Sequence, residues 1–547
     1  MRTFETVILD GASLTLEQLV AVSRGEEGPD GRRTYAAVAL DPACRETIIE
    51  VRAFIETNWL KEDAPEVYGF NTGVGPLKNI RISPEDNESF QYNISLSHAA
   101  DIGDPASEEA VRATLLTRAN ALAKGVSGVR PDVVDRLIDM LNHGIHPLIP
   151  EQGSVGASGD LGPMCHVAIA MMGHHEAEAL QNGKLVPIRD LFKQAGLAED
   201  FPFKGKEALA IANGCSFALG VGALALYDAW RVLHSANLAC ALSMECLRGE
   251  KAAFDDRIHT SRNHPGQIVV AKEILSCLEG SEWTTDAGRQ VTFPWEKNPE
   301  PWSPRVQDAY SLRCAPQVNG AAWDMLDFAR KVLEREMNGA LDNPLIFPAR
   351  NGEGYEPLSG GNFHGQQIAF ATDLLAMAIH EVGDISDRRS SRQLDPALNF
   401  GLPRNLVGAK PGLHTGFTVT QNVAASLVME NRTLCMPTST DSIPNKSNQE
   451  DHVSQATWSA RKARMVVENM HKIIGVEFLC ACQSISLIEK EMGSLSLGET
   501  TGKAYRHFRS KVPMVVEDRY MYPLIREAVR LVRSGELLKA VGRDCLV

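Results

Sequence analysis

The residues from Gly153 to Pro163 read GSVGASGDLGP. A glycine-rich loop ahead of a helix commonly cradles phosphate, because free backbone N–H groups converge there. Here the details differ. No Lys-Ser or Lys-Thr pair follows, and the G-x-x-G-x-x-G spacing is not that of a dinucleotide loop. Nor is this an elbow nucleophile, since Gly159 follows Ser158 with no residue between. Two readings remain. One is a turn that caps a helix at Asp160. The other is covalent: in a tight loop the Gly159 amide nitrogen can attack the Ala157 carbonyl, and glycine suits this because it has no Cβ to block the approach. Loss of water from that ring and from Ser158 leaves a methylidene-imidazolone, a conjugated electrophile that no ordinary side chain provides.

Six other segments accompany this loop: YGFNTGVG at Tyr68–Gly75, SHAA at Ser97–Ala100, ANG at Ala212–Gly214, QDAYSLRCAPQ at Gln307–Gln317, GGNFHG at Gly360–Gly365 and SNQEDHV at Ser447–Val453. With Ala157-Ser158-Gly159 they resemble, in the same order, the ammonia-lyase and aminomutase family that builds this prosthetic group from its own chain. The likeness runs over roughly residues 60 to 460.

The resemblance implies a reaction and a set of roles. Removing ammonia from an α-amino acid requires an electrophile that captures the amine and a base that takes a weakly acidic β-proton. Tyr68 is implied as the base, which asks a phenol with an ordinary pKa of about 10 to give up or share its proton near neutrality. Arg313 matches the family's carboxylate clamp, where a guanidinium fork makes two parallel hydrogen bonds that Lys cannot. Tyr310 and Gln307, three and six residues earlier, would share roughly one helix face with it. Tyr310 is implied near the electrophile, Asn213 at the prosthetic ring or the substrate carboxylate, and Phe363 in the pocket wall. The implied prosthetic group is the 4-methylidene-imidazole-5-one formed from Ala157, Ser158 and Gly159, with no metal and no nucleotide.

Ser97, His98 and Glu450 should meet the substrate's side chain. Ser97-His98 is the pair that histidine lyases show, where phenylalanine lyases are apolar and tyrosine lyases have His-Leu. A carboxylate at 450 can accept a hydrogen bond from an imidazole, whereas in a phenyl pocket it would be buried without a partner at a cost of several kcal/mol. L-Histidine, giving urocanate, is therefore the expected substrate. A tyrosine- or phenylalanine-type lyase, or a 2,3-aminomutase on a related ring, is the alternative, and a helical binding protein without chemistry is the non-enzymatic one. Phe70, Val74, Asp101, Ala315 and Asn319 depart from the histidine-lyase pattern; Asp101 replaces a usual glycine and adds a charge.

The elements that must position these residues read as mainly α. Long segments rich in Ala, Leu, Met and Glu run over Cys215–Glu250, Gly320–Met337, Gln366–Arg388, Val419–Leu434 and Gln455–Ile485, predicting a long central helical bundle. A smaller, irregular N-terminal region carries the prosthetic-group loop. The expected division is residues 1–210 for that region and 211–547 for the bundle and C-terminal helices. Pro105 in the first turn and Gly125 at the end bracket one helix, and Pro131 to His143, closed by Gly144, is another. Thr6–Leu9 is one of few strand signals, and Phe293–Pro304 and Leu402–Gly412 read as loops.

Composition bounds the partners. The chain has 547 residues and a net charge of −14, which argues against a nucleic-acid binder. No uncharged apolar run reaches the roughly 18 residues of a membrane helix, and acidic Glu5, Asp10 and Glu17 interrupt the N-terminus. The 11 cysteines are scattered without a C-x-x-C pair, as in a cytoplasmic protein with reduced core thiols. His143 with His146, and His174-His175-Glu176, lack the spacing of a defined metal site and read as solvated or helix-face side chains. The partners expected are an amino-acid substrate and, by resemblance, three further copies in a homotetramer with shared active sites; neither nucleic acid nor membrane is expected.

Overall fold

The computed structural model describes residues 5–27, 33–181, 183–295, 305–445 and 448–543. Most of the expected loop at Phe293–Pro304 lies outside the described residues. The described residues form twenty α-helices and a few short strands paired two or three at a time, so the protein is mainly α. The long helices run over Ser216–Cys246, Ala315–Met337, Gln366–Leu394, Thr418–Leu434 and Ala456–Met492. Two of them, Ser216–Cys246 and Ala456–Met492, are long and apolar enough to cross a membrane, but 94% and 83% of their most apolar stretches are buried in the protein. They are core helices, their apolar stretches covered by neighbours in the protein.

The chain forms two compact units. The first comprises Met1–Ala225, Arg330–Asp373 and Pro437–Arg461; the second comprises Leu226–Ala329, Leu374–Met436 and Lys462–Val547. In the first, Thr6–Leu9 pairs in parallel with Ala37–Leu40, Thr6 opposite Ala37 and Leu9 opposite Leu40. Val51, Ile55, Trp59, Val67, Phe70 and Ile346 form a core cluster beneath the segment that carries Tyr68. The helix Pro131–Asn142 begins at its proline as expected, and Gly144 follows in the left-handed conformation.

One helix differs from its sequence reading. Ser107, not Pro105, caps Glu108–Ala123, accepting the Ala110 amide hydrogen, while Pro105 ends a short strand, Ile102–Pro105. Every residue of this helix from Ala110 to Ala123 is buried. Its polar side chains are spent on backbone groups elsewhere. Arg112 donates to the Val22 and Leu141 carbonyls, and Arg118 to those of Ala210 and Asn213.

The second unit buries a charge pair. Arg389 Nε and Nη2 meet the two Glu477 oxygens at 2.5 and 2.8 Å, and both side chains are fully buried. Ser243 and Ser386 hydroxyls donate to the same carboxylate at 2.7 and 2.6 Å. Such a pair is held by completeness, since removing one partner strands the other's charge. Arg389→Ala should therefore lower stability by about 3–5 kcal/mol, while Arg389→Met with Glu477→Met should recover most of it. Thermal melting of the three proteins checks this; an unchanged melt for Arg389→Ala would contradict it.

Candidate functional site

The loop Gly153–Asp160 enters from the strand Pro150–Gln152, which pairs with Ile102–Pro105, and leaves into the helix Leu161–Met171. Gly156, Ser158 and Gly159 all have left-handed φ, +78°, +53° and +82°. For serine this conformation costs about 1–3 kcal/mol and persists only where surroundings impose it. The imposing element is the turn after the helix Glu207–Ala212. Gly214 N–H donates to the Ser158 carbonyl at 3.1 Å, and Asp160 N–H donates to the Gly214 carbonyl at 2.8 Å. The two backbones touch so closely that a Cβ on Gly159 would lie 2.3 Å from the Gly214 carbonyl carbon. Any residue but glycine would push the segments apart.

Asp160 anchors the loop's exit. It is fully buried; Oδ2 accepts from Ala218 N–H at 2.8 Å and Oδ1 from the Thr457 hydroxyl at 2.5 Å. Burial pushes its carboxyl above the usual carboxylate range, against the pull of Thr457, Ala218 and the Arg118 charge. The turn it grips is fixed by a second buried set. Arg118 holds the Asn213 carbonyl at 3.0 Å, and Lys206 Nζ donates to the Ser127 and Pro344 carbonyls and to Asp342. Asp342 Oδ1 in turn accepts from Asn213 Nδ2 at 3.3 Å, and the Asn343 carbonyl accepts from the same nitrogen at 3.1 Å. Asn213 thus caps the helix Glu207–Ala212 with its backbone N–H, which donates to the Leu209 carbonyl, while its side chain is held by Asp342 and Asn343.

Beside the loop is a cavity of about 720 Å³ within the first unit. Tyr68, Ser97, His98, Ser158, Asn213, Phe363 and Glu450 all line it, so seven residues singled out from sequence converge on one space. Tyr68 Oη accepts the Gly75 N–H at 3.0 Å. Burial pushes the Tyr68 phenol up, the Glu450 charge adds to this, and the Gly75 N–H pulls it back in part. His98 ends the helix Asn87–His98, and its Nδ1 sits 2.9 Å from the Ile94 carbonyl and 3.0 Å from Ser97 Oγ. A carbonyl only accepts, so Nδ1 carries a proton in this arrangement. Phe363 is seated by its carbonyl, which accepts from Cys215 Sγ at 3.0 Å.

Glu450 lies in a turn whose backbone pairs both ways with Asn445. Its Oε1 accepts the Ser158 hydroxyl at 2.7 Å. Nearby, Arg461 meets Glu151 at 3.6 Å; Lys446, and Ser447 at the head of the 447–453 motif, lie outside the described residues. Sequence reasoning missed Lys78 and Gln449, which join at 2.8 Å on the cavity's rim, and its apolar wall of Ile94, Leu161, Cys165 and Leu209. Lys78 carried no motif; Gln449 was next to Glu450 and could have been taken with it.

Gln307, Tyr310 and Arg313 belong to the second unit. Only Tyr310–Arg313 is helical there, so Gln307 precedes the helix and the expected three-residue face is not formed. Arg313 Nε donates to the Asp308 carbonyl at 2.8 Å, and its guanidinium lies 4.7 Å from the centre of the Tyr310 ring, which is 71% exposed. The histidine pairs also differ from expectation in part. His143 is exposed, but His146 is buried in a strand beside Arg112, and burial brings its pKa down to about 4. His174, His175 and Glu176 occupy a turn with their ligand atoms within 4.8 Å of one another.

Comparison with known proteins bears on this site. A family model for aromatic amino acid lyases matches residues 14–510. Histidine ammonia-lyase 2 of Fusobacterium nucleatum is 41% identical over 536 residues, 98% of each chain. The crystal structure of histidine ammonia-lyase from Trypanosoma cruzi superposes with a TM-score of 0.85 at 37% identity, covering 98% of this chain and 95% of that one. Tyrosine aminomutase from Streptomyces globisporus superposes with a TM-score of 0.87 at 34% identity, covering 98% of each.

Asp101, the charged departure, packs between the two ends of the loop. A Cβ on Gly153 or on Gly162 would fall within 2.3 Å of Asp101 Oδ1, and Asp101 Oδ2 is buried without a hydrogen-bond partner. Burial, with the Asp160 charge next, pushes the Asp101 carboxyl up to about 7. The unfolded chain ionises near pH 4, so the folded state holds the proton more tightly and stability falls as pH rises between about 4 and 7. Asp101→Asn should melt several degrees above the parent at about pH 8 and level with it at about pH 4. A gap that stayed constant with pH would contradict this.

Proposed function

The chain belongs to the aromatic amino acid lyase family, and we propose that it eliminates ammonia from L-histidine to give urocanate, using a methylidene-imidazolone formed from Ala157, Ser158 and Gly159. The observation that carries this is one cavity lined together by Tyr68, Ser158, the Ser97-His98 pair and Glu450. The loop suits the prosthetic group: left-handed Ser158 and Gly159 turn the chain sharply, and Gly159 has no Cβ where its neighbour's backbone already lies. When formed, the group supplies the electrophile that makes an amine a leaving group.

The chain's own residues do the rest. His98 and Glu450 put hydrogen-bonding groups in a cavity whose other walls are largely apolar, a setting for a polar aromatic ring such as imidazole and a poor one for phenyl. Identity to histidine ammonia-lyases favours the same ring. The likeness to a tyrosine aminomutase is of similar size, so the fold alone does not choose between rings. Tyr68 takes the β-proton on its phenolic oxygen, with the Gly75 N–H stabilising the phenolate. Burial and Glu450 oppose ionisation, so the active fraction is small at neutrality.

Arg313 binds the substrate carboxylate, with Tyr310 and Gln307 beside it. The exposed Gln307 and Tyr310 and the partly exposed Arg313 support a homotetramer in which these three serve a cavity of a neighbouring copy. Reduced thiols support a cytoplasmic protein: the ten cysteines among the described residues are thiols outside any disulfide, and seven are buried.

Acrylate products absorb in the ultraviolet, so a panel of histidine, tyrosine, phenylalanine and ring-substituted analogues tests the substrate directly. Histidine should turn over fastest; faster release of a cinnamate, or accumulation of a β-amino acid, would overturn the assignment. Ser158→Ala should keep the fold and lose nearly all activity. Arg313→Lys should cost a few kcal/mol in kcat/KM. For the parent, kcat/KM should climb with pH from neutrality into the alkaline range as Tyr68 ionises, and a flat profile would remove Tyr68 as the base.

A further inference from the structure

Glu450 has a contact that substrate recognition does not explain. Its Oε1 receives the hydroxyl of Ser158 at 2.7 Å, and that hydroxyl is the one that must depart when the ring forms. The other hydroxyls nearby are turned elsewhere: Thr457 toward Asp160, and Ser154 toward the Gly159 carbonyl and the Gly156 amide. The carboxylate is also anchored. The backbone of Glu450 donates to and accepts from Asn445 at 3.3 and 2.8 Å, and Asn448 in the same turn is left-handed.

We propose that Glu450 is a maturation residue, carrying the proton that lets the Ser158 oxygen leave as water while the prosthetic ring is made. The inference rests on the reading that Ala157, Ser158 and Gly159 cyclise. Gly159 N bonds to Ala157 C; the oxygen on that carbon departs as water with the amide hydrogens of Gly159 and Ser158, leaving a C=N bond to Ser158 N. Ser158 then loses its Cα–H and Cβ–Oγ bonds. The Cα–H electron pair becomes the new Cα=Cβ bond, and Oγ leaves with the Cβ–Oγ pair. Oγ already holds one proton and needs a second, which Glu450 takes up from solvent and delivers across the 2.7 Å contact. The Cα proton passes to solvent, and Glu450 ends as the carboxylate it began as. Atoms and electrons balance without an oxidant or reductant.

The arrangement orders two roles of one side chain in time. While Ser158 keeps its hydroxyl, Glu450 Oε1 is engaged by it. Maturation removes that donor, and the next donor to reach the same oxygen is the ring of an incoming substrate.

Intact mass separates maturation from turnover, because the mature chain is lighter by two waters whether or not it is active. The experiment compares the full-length parent with Glu450→Ala and Glu450→Gln, following mass with time after synthesis and recording thermal melts. The parent should appear fully processed. Glu450→Ala should stay largely at the unprocessed mass or stop after one water. Glu450→Gln can hold the hydroxyl but is not a proton donor of matched strength, and should mature at least about a hundredfold more slowly, the usual loss when a general acid is removed. If Glu450→Ala does not fold, the near-isosteric Gln variant decides alone. Variants that reach the processed mass as fast as the parent would overturn this proposal and leave the function intact. A parent at its unprocessed mass would overturn the cyclisation reading and this proposal with it.

Discussion

A single backbone-on-backbone contact, Gly159 against Gly214, governs the site. It leaves no volume for a Cβ, holds Ser158 and Gly159 in left-handed backbone, and ties the peptide groups on both sides of Gly159 to one turn by two hydrogen bonds. Everything else near the loop reinforces this contact. Asp160 fastens the exit through Thr457 and Ala218, and Asp101 fills the space between entrance and exit. Strain at Ser158 is therefore held by packing around the loop, which is how proteins keep unfavourable backbone where chemistry needs it.

That grip depends in turn on buried charge. Arg118 and Lys206 sit in the interior and hold carbonyls of the Asn213–Gly214 turn and the Asp342–Pro344 segment, with Asp342 pairing Lys206 and orienting Asn213. Burying such groups is expensive unless each finds partners. Here the partners are the backbone carbonyls of irregular segments that would otherwise lack donors. The same side chains that satisfy those segments hold Asn213, which lines the cavity, and a cavity lined by loops needs such support to position reacting atoms.

How far this was readable beforehand follows from where each residue's partners lie. Local signals served well: Thr6–Leu9 forms its strand, Pro131 starts its helix, and the long apolar segments are the long helices. Seven candidate residues, singled out by the resemblance of their motifs to the lyase family, meet in one cavity. The rest hinged on distant partners. Pro105 was expected in the first turn of the helix that Ser107 caps, and Arg112 and Arg118 on that helix point at carbonyls scores of residues away. Gln307 was placed on a helix with Tyr310 and Arg313, and the helix starts too late to include it. Asp342 and Lys206 had no pattern at all, since a buried ion pair is made by tertiary proximity and leaves no period in the chain.

The central claim is that residues 157–159 close into a ring. A crystallographic map of active protein, at a resolution where single and double bonds differ, tests it most directly. The account predicts continuous density joining Gly159 N to Ala157 C, a planar five-membered ring, and no oxygen on the Ser158 β-carbon. An open tripeptide with its serine hydroxyl intact, in material that still turns over substrate, would contradict it.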